Sequence, residues 1–305
     1  MKILTSPSSF GKISNEPYEI LMDNGFEIIK NPFGRKLSVD ETIMLGKDCI
    51  GIVAGLENIN SNVIDSIPNL KCISRVGVGM DNIDLNYAKN KGIQILNTPD
   101  GPTRAVSELT LGLTIAILRK ISDADADLKK RIWKKQTGSL LFKKTIGILG
   151  LGRIGKMTAK IFKSLGNSVL AYDINPDKEW AKKEGIEIVD FDKLLSYSDI
   201  ITIHIPFKKN HPPVIGKNQF SKMKDGVFIV NVSRGGIVDE EELFKNLTLG
   251  KISSAAIDVF ENEPYNGKLC DLKNVLLTPH IGSYAKEGKL KMEIDAVNNI
   301  LKVLT

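Results

Sequence analysis

Gly147-Ile148-Leu149-Gly150-Leu151-Gly152-Arg153-Ile154-Gly155 is the stretch on which the reading of this chain turns. A short apolar run, Thr145 to Leu149, enters it with the composition of a buried strand, and a helical pattern, Arg153 to Leu165, leaves it. Between them stands Gly150-x-Gly152-x-x-Gly155, in the strand–turn–helix context that gives such a glycine pattern its meaning. Gly150 permits the tight turn, Gly152 lets backbone approach a pyrophosphate, and Gly155 lets helix and strand pack closely. The free N–H groups at the helix start then face the anion. The next strand, Ser168 to Tyr172, is followed by Asp173, 18 residues after Gly155, where a carboxylate accepts the ribose hydroxyls of an adenosine. With strand, helix and acid in place, dinucleotide binding is the expectation over an ordinary glycine-rich turn.

Outward from this motif, 305 residues suggest about two domains, each able to bury its own core. A composition of 42% hydrophobic and 26% charged residues is that of an ordinary globular protein. The longest apolar stretch, Leu109 to Leu118, is too short to span a bilayer, and Met1-Lys2-Ile3-Leu4 runs into polar residues instead of a secretory segment. A cytoplasmic protein without membrane contact is expected. Cys49, Cys72 and Cys270 sit in or beside apolar runs without metal-ligand spacing, so buried free thiols and no metal are expected. The net charge of +6 comes from lysines spread along helices. That pattern argues against a nucleic-acid surface and for mild attraction of an anionic substrate and cofactor.

Strands and helices alternate along the first hundred residues. Lys2–Thr5, Phe26–Ile29, Cys49–Val53, Cys72–Val76 and Ile93–Leu96 read as strands, with helical patterns such as Asn15–Asp23 and Leu85–Lys91 between them. This alternation predicts a parallel sheet covered on both faces, with ligands beyond the carboxyl ends of its strands. The loop Arg75-Val76-Gly77-Val78-Gly79 lies at such an end; its backbone is either a seat for a carboxylate or a tight turn. Asn97-Thr98-Pro99-Asp100-Gly101-Pro102 marks a crossing between domains, followed by a helix from about Thr103 to Arg119 that is apolar nearly all round. Trp133, among lysines, is either an interface anchor or packed on its own domain. Past the glycine motif, Ile200–Ile205, Val227–Val232, Ala255–Val259 and Val275–Leu277 continue the period. Each ends in polar or charged residues, and the four clusters converge on one crevice. The last helix, with Leu290, Ile294, Val297, Leu301 and Leu304 on one face, returns to the first domain. The expected architecture is α/β with two parallel-sheet domains. One is a discontinuous flavodoxin-like substrate domain, 1–98 and 285–305; the other is a Rossmann domain, 99–284.

Among the strand-end clusters, His280 suits an acid/base and Glu263 suits a partner that favours its imidazolium. Arg234 offers a planar fork to a carboxylate and the adjacent carbonyl. These residue types beside a nicotinamide make a 2-hydroxyacid dehydrogenase, although spacing alone does not bring the three together. The sequence resembles the D-isomer-specific 2-hydroxyacid dehydrogenase family, in its phosphoglycerate dehydrogenase branch. The resemblance runs from about Arg75 to Gly282 through RVGVGMDNID, NTPDGPTRAVSELT, GILGLGRIG, NVSRGGIVDEEEL, AAIDVFENEP and LLTPHIG. It implies Arg234, Glu263 and His280 as catalytic residues and NAD as cofactor. The cofactor contacts it implies are Val78, Thr103, Gly150, Gly152, Arg153, Ile154, Gly155, Asp173, Ile205, Val232, Ser233, Asp258 and Gly282. Arg75, Val78, Gly79 and Arg234 are expected at the substrate, and a homodimer through the Thr103–Gly138 region is implied.

Two departures from the family pattern bear on the substrate. The segment after His204-Ile205-Pro206 is Phe207-Lys208-Lys209-Asn210-His211-Pro212-Pro213, without the usual threonines. Val53-Ala54-Gly55 replaces a Val-Arg-Ser segment and removes a candidate phosphate ligand, while Arg75 is retained. The expectation leans toward D-3-phosphoglycerate and its oxo form, on the charge of Arg75. Glyoxylate or hydroxypyruvate is the alternative within the class, and an NAD-sensing binding protein the alternative outside it. With Thr305 the last residue, no regulatory domain of the kind found in longer relatives is expected.

Overall fold

A computed structural model describes residues 1–207 and 211–305, so Lys208, Lys209 and Asn210 of the atypical loop lie outside the described residues. The chain divides into two compact units, Met1–Pro102 with Ser283–Thr305, and Thr103–Gly282.

The first unit carries β1 (Lys2–Thr5), β2 (Glu27–Lys30), β3 (Cys49–Ala54), β4 (Cys72–Arg75) and β5 (Gln94–Asn97). All pair in parallel, in the order β2-β1-β3-β4-β5 of flavodoxin-like sheets. β3 is central and five of its six residues are buried, as a strand covered on both faces must be. Helix Val39–Gly46, between β2 and β3, starts at a capping box in which Ser38 and Glu41 satisfy each other's backbone N–H groups. The last helix, Lys286–Leu304, lies on this sheet, with Ala296, Val297 and Ile300 packed among Ile3, Phe10, Leu21, Val53 and Cys72. Gly51 permits the approach: an added Cβ would stand 2.9 Å from Ile3 and 3.2 Å from Ile300.

That seam corrects the expected one in part, since Val297 is buried and Leu301 and Leu304 pack against the same cluster as expected. Met292, Glu293, Ala296, Val297 and Ile300 are the buried residues of the helix, and Leu290 and Ile294 are half-buried at its margin. Counting large apolar side chains misplaces the face because the small Ala296 and the acid Glu293 occupy its centre.

The second unit carries β6 (Thr145–Leu149), β7 (Ser168–Tyr172), β8 (Glu187–Ile188), β9 (Ile200–Ile203), β10 (Val227–Asn231), β11 (Ile252–Ile257) and β12 (Val275–Leu277). The order is β12-β11-β10-β9-β6-β7-β8, all parallel, the doubly wound arrangement of dinucleotide-binding sheets. The two-residue edge strand β8 is too short to leave a periodic signal. Helix Gly101–Arg119 buries Ala105, Val106, Leu113, Ile117 and Leu118, but Arg104, Glu108 and Gly112 form an exposed stripe at four-residue spacing, so it is not buried all round. Cys270 also departs from expectation: it is exposed on a one-turn helix whose apolar anchor is Leu269, whereas Cys49 and Cys72 are buried. Burial pushes those two thiols up to about 11 and about 12 respectively. No helix among the described residues is long and apolar enough to cross a membrane.

Glu293 is 1% exposed; its Oε2 accepts the Gly11 N–H at 3.1 Å, and Lys289 Nζ lies 3.8 Å from Oε1. Burial pushes its carboxyl up, an effect only partly offset by the Gly11 N–H and the Lys289 charge. An acid whose folded pKa exceeds its unfolded value favours folding most at low pH and loses that contribution as the pH rises through the folded value. Glu293→Gln keeps an acceptor for Gly11 without the charge. It is expected to melt above wild type at pH 8, with the gap closing toward pH 4. Scanning calorimetry at both pH values decides this, and a variant that melts lower at pH 8 contradicts it.

Candidate active site

The order of the second sheet reverses between β6 and β9, where ligands of such sheets bind. The glycine turn follows β6 and His204-Ile205-Pro206 follows β9; the two are joined by His204 N–H donating to the Leu149 carbonyl at 2.7 Å. Gly150 has φ +96°, and an added Cβ would press on the His204 carbonyl and Ile205, so glycine is required twice over. A Cβ on Gly155 would run into the Gly150 carbonyl. At Gly152, by contrast, an added Cβ meets nothing within 4 Å, and this residue caps helix Arg153–Ser164 without a side-chain hydrogen bond. The turn is therefore tight beneath and open above, with helix N–H groups facing the opening, which fits a pyrophosphate. Asp173 accepts N–H groups from Leu151 at 2.7 Å and Asn175 at 2.8 Å, which hold its carboxylate beside the turn. His204 is held neutral: burial pushes its imidazole down to about 3.

Beyond β10, β11 and β12 the loops build a second cluster. His280 Nδ1 donates to Glu263, 2.9 Å from Oε2 and 3.1 Å from Oε1, which directs Nε2 away from the pair. Glu263 Oε1 also accepts the Phe260 N–H at 3.1 Å. Burial pushes the Glu263 carboxyl up, but His280, the Phe260 N–H and the charge of Arg234 outweigh it and hold the group below its ordinary value. Glu263 is thus an anion set against the imidazole. His280 stands in left-handed backbone, φ +53°, and its loop is held by Asp258. That carboxylate accepts Thr278 Oγ1 at 2.6 Å, Ile281 N–H at 2.8 Å and Gly282 N–H at 2.8 Å, while the Asp258 carbonyl accepts the His280 N–H at 2.8 Å.

Arg234 follows β10 in a loop braced by Asn231, whose Oδ1 accepts the Ser233 N–H and hydroxyl and whose Nδ2 donates to the Arg234 carbonyl. Gly235 sets this loop against the next: a Cβ there would run into the Phe260 carbonyl and the Glu261 N–H. Arg234 and Glu263 are neighbours for that reason. Asn231 and Gly235 were not among the predicted site residues. Glycine at a strand end was the available signal, whereas nothing local distinguishes Asn231.

The remaining expected residues are placed less uniformly. Val232 packs its side chain into the core with Val106 and Val230. Ser107, one turn after Thr103, bonds the Thr103 and Ile154 carbonyls, so both residues border the glycine turn. In the first unit, Val78 is exposed and Gly79 half-buried on the loop after β4, which Asn97 and Thr98 hold by bonds to Val78 and Gly77. Arg75 is 8% exposed, with its guanidinium donating to the Val76 carbonyl of its own loop.

The family model described as "D-isomer specific 2-hydroxyacid dehydrogenase, NAD binding domain" matches residues 111–282, and the chain belongs to that family. It is 41% identical to a D-3-phosphoglycerate dehydrogenase of Archaeoglobus fulgidus over 99% of this chain and 57% of that protein. It is 40% identical to a hydroxypyruvate reductase of Thermotoga maritima over 83% of this chain and 84% of that one. The chain thus spans little more than half the length of the first relative and most of the second. The structure is similar to that of a D-lactate dehydrogenase from Aquifex aeolicus complexed with NAD and lactic acid, with TM-score 0.85, 26% identity, and coverage of 99% of this chain and 94% of that one.

Gly235→Ala is expected to separate the Arg234 loop from Phe260 and Glu263. Displacement of a site by about 1 Å costs on the order of 10²-fold in rate. Turnover should fall by about that factor while NADH affinity, measured by fluorescence titration, changes little. Unchanged turnover would show that the loop contact does not set the site.

Proposed function

We propose that this chain is an NAD-dependent dehydrogenase that interconverts a D-2-hydroxy acid and its 2-oxo acid. The observation that carries the reading is the His280–Glu263 pair, with Arg234 close enough for its charge to act on Glu263. When bound, the nicotinamide cofactor would supply the hydride in its reduced form and accept it in its oxidised form. His280 Nε2 donates a proton to the forming alkoxide in reduction and takes it back in oxidation, while Glu263 holds the ring through Nδ1. Arg234 grips the substrate carboxylate and keeps the carbonyl carbon in register. An NAD-sensing protein would have no use for a histidine–carboxylate pair of this geometry, which favours the enzyme.

For the substrate, an unphosphorylated short acid of the hydroxypyruvate or glyoxylate type is supported over 3-phosphohydroxypyruvate. The charge of Arg75, on which the phosphorylated reading leaned, is folded onto its own loop, and Ala54 offers no side-chain donor at the end of β3. The name of the Thermotoga relative agrees with this choice and that of the Archaeoglobus relative does not. Exposed Leu128, Ile132, Trp133 and Leu140 support a homodimer through the segment after helix Gly101–Arg119, and the free cysteines support a cytoplasmic location.

Two outcomes test the chemistry. His280→Ala should lower kcat by about 10²–10⁴-fold with NADH affinity retained, and Glu263→Gln should move the alkaline limb of the reduction profile to lower pH, because the negative charge facing the ring is lost. Wild-type turnover in His280→Ala, with hydride transfer shown to be rate-limiting by a deuterium isotope effect, removes the acid/base assignment. Asp173 should repel a 2′-phosphate, so kcat/KM with NADH should exceed that with NADPH, and equal efficiency would strip Asp173 of its role.

A further inference from the structure

The first unit holds a buried acid that the chemistry above does not use. Its sheet order reverses between β1 and β3, so the carboxyl ends of these strands form the crevice in which such a sheet takes up a ligand. Ser6 follows β1 there and Gly55 follows β3, presenting a hydroxyl and a backbone N–H side by side, the donors an incoming anion requires.

Both donors are already engaged by the chain itself. Glu57 Oε1 accepts the Gly55 N–H at 2.8 Å and the Ser6 hydroxyl. Glu57 is 1% exposed, and the donors that hold it are neutral. Its other oxygen closes the remaining space: an added Cβ on Gly55 would stand 2.9 Å from Oε2 and 3.3 Å from Pro7 Cα. Asn82 Nδ2 donates to the carbonyls of Gly55 and Glu57 and so fixes the turn that carries the acid.

We propose that Glu57 is an internal anion seated where the anionic tail of a substrate would bind, and that it selects 2-oxo acids with an uncharged tail. Resting on the dehydrogenase reading above, this makes Glu57 a positioning residue that sets specificity through Ser6 and Gly55. A phosphate reaching the crevice must either displace the carboxylate from its two donors or lie beside a like charge, and both are unfavourable. A hydroxyl tail meets neither obstacle. A residue that merely clasped the turn would, when lost, weaken every substrate alike.

The experiment compares wild type, Glu57→Gln and Glu57→Ala with hydroxypyruvate and 3-phosphohydroxypyruvate by NADH absorbance, and titrates each protein, saturated with NADH so that the open glycine turn is filled, with inorganic phosphate in a calorimeter. Wild type should favour hydroxypyruvate in kcat/KM and bind no phosphate. Glu57→Ala should shift the preference toward the phosphorylated acid by about tenfold, the weight of one charge-assisted hydrogen bond, through KM for that substrate alone. It should also bind inorganic phosphate. Glu57→Gln keeps the turn but not the charge and should shift the preference in the same direction by less, so it carries the comparison if the alanine variant fails to fold. Parallel losses on both substrates without phosphate binding, or a wild type that prefers the phosphorylated acid, overturn the proposal. If wild type reduces no 2-oxo acid, the dehydrogenase reading falls, and calorimetry still decides whether Glu57 guards an anion seat.

Discussion

The Asp258 carboxylate is the constraint on which the His280–Glu263 cluster depends. It is fully buried, and a buried carboxylate is costly unless donors meet its oxygens. Burial pushes its pKa up, and the Thr278 hydroxyl and the Ile281 and Gly282 N–H groups act against that push. Its backbone continues the sheet past the strand ends, donating to the Asn231 carbonyl and accepting from His280. One residue thereby joins the loops of β10, β11 and β12. The left-handed backbone of His280, a conformation that costs about 1–3 kcal/mol outside glycine, persists because these bonds over-determine it.

The two units apply one rule of sheet architecture in opposite ways. Each is a parallel sheet whose order reverses once, and each reversal opens a crevice at the carboxyl ends of two strands. In the second unit the crevice is kept open by glycine, with bare backbone at Gly152 and tight packing at Gly150 and Gly155. In the first unit the corresponding donors are occupied by Glu57. An open seat of N–H groups suits a diffusible anion, whereas a seat filled by the chain's own carboxylate resists one.

Membership of the 2-hydroxyacid dehydrogenase family fixes the kind of chemistry to be expected and leaves the tail of the substrate open, since relatives of similar identity carry different names. Members of such a family share the groups that handle the carboxylate, the carbonyl and the proton. They differ where the rest of the substrate is read, and we place Ala54 and Glu57, strand-end residues of the first unit, at that point.

Arg234, Glu263 and His280 came from the sequence as candidates whose roles rest on the family resemblance, whereas the alternation of strands and helices and the glycine turn with Asp173 were determined by the sequence itself. These are legible because hydrophobic period and turn chemistry are local properties. It put the centre of the buried face of the last helix in the wrong place, overlooked β8, gave Asn231 and Gly235 no role of their own, and was silent on Glu57. Tertiary structure alone decided that His280 meets Glu263 across 17 residues, that Gly235 lies against Phe260, and that Ser6 meets Glu57 across 51 residues. In a parallel sheet, loops far apart in the chain become neighbours according to strand order. That order is set by how the whole sheet packs, and no local pattern of residues encodes it.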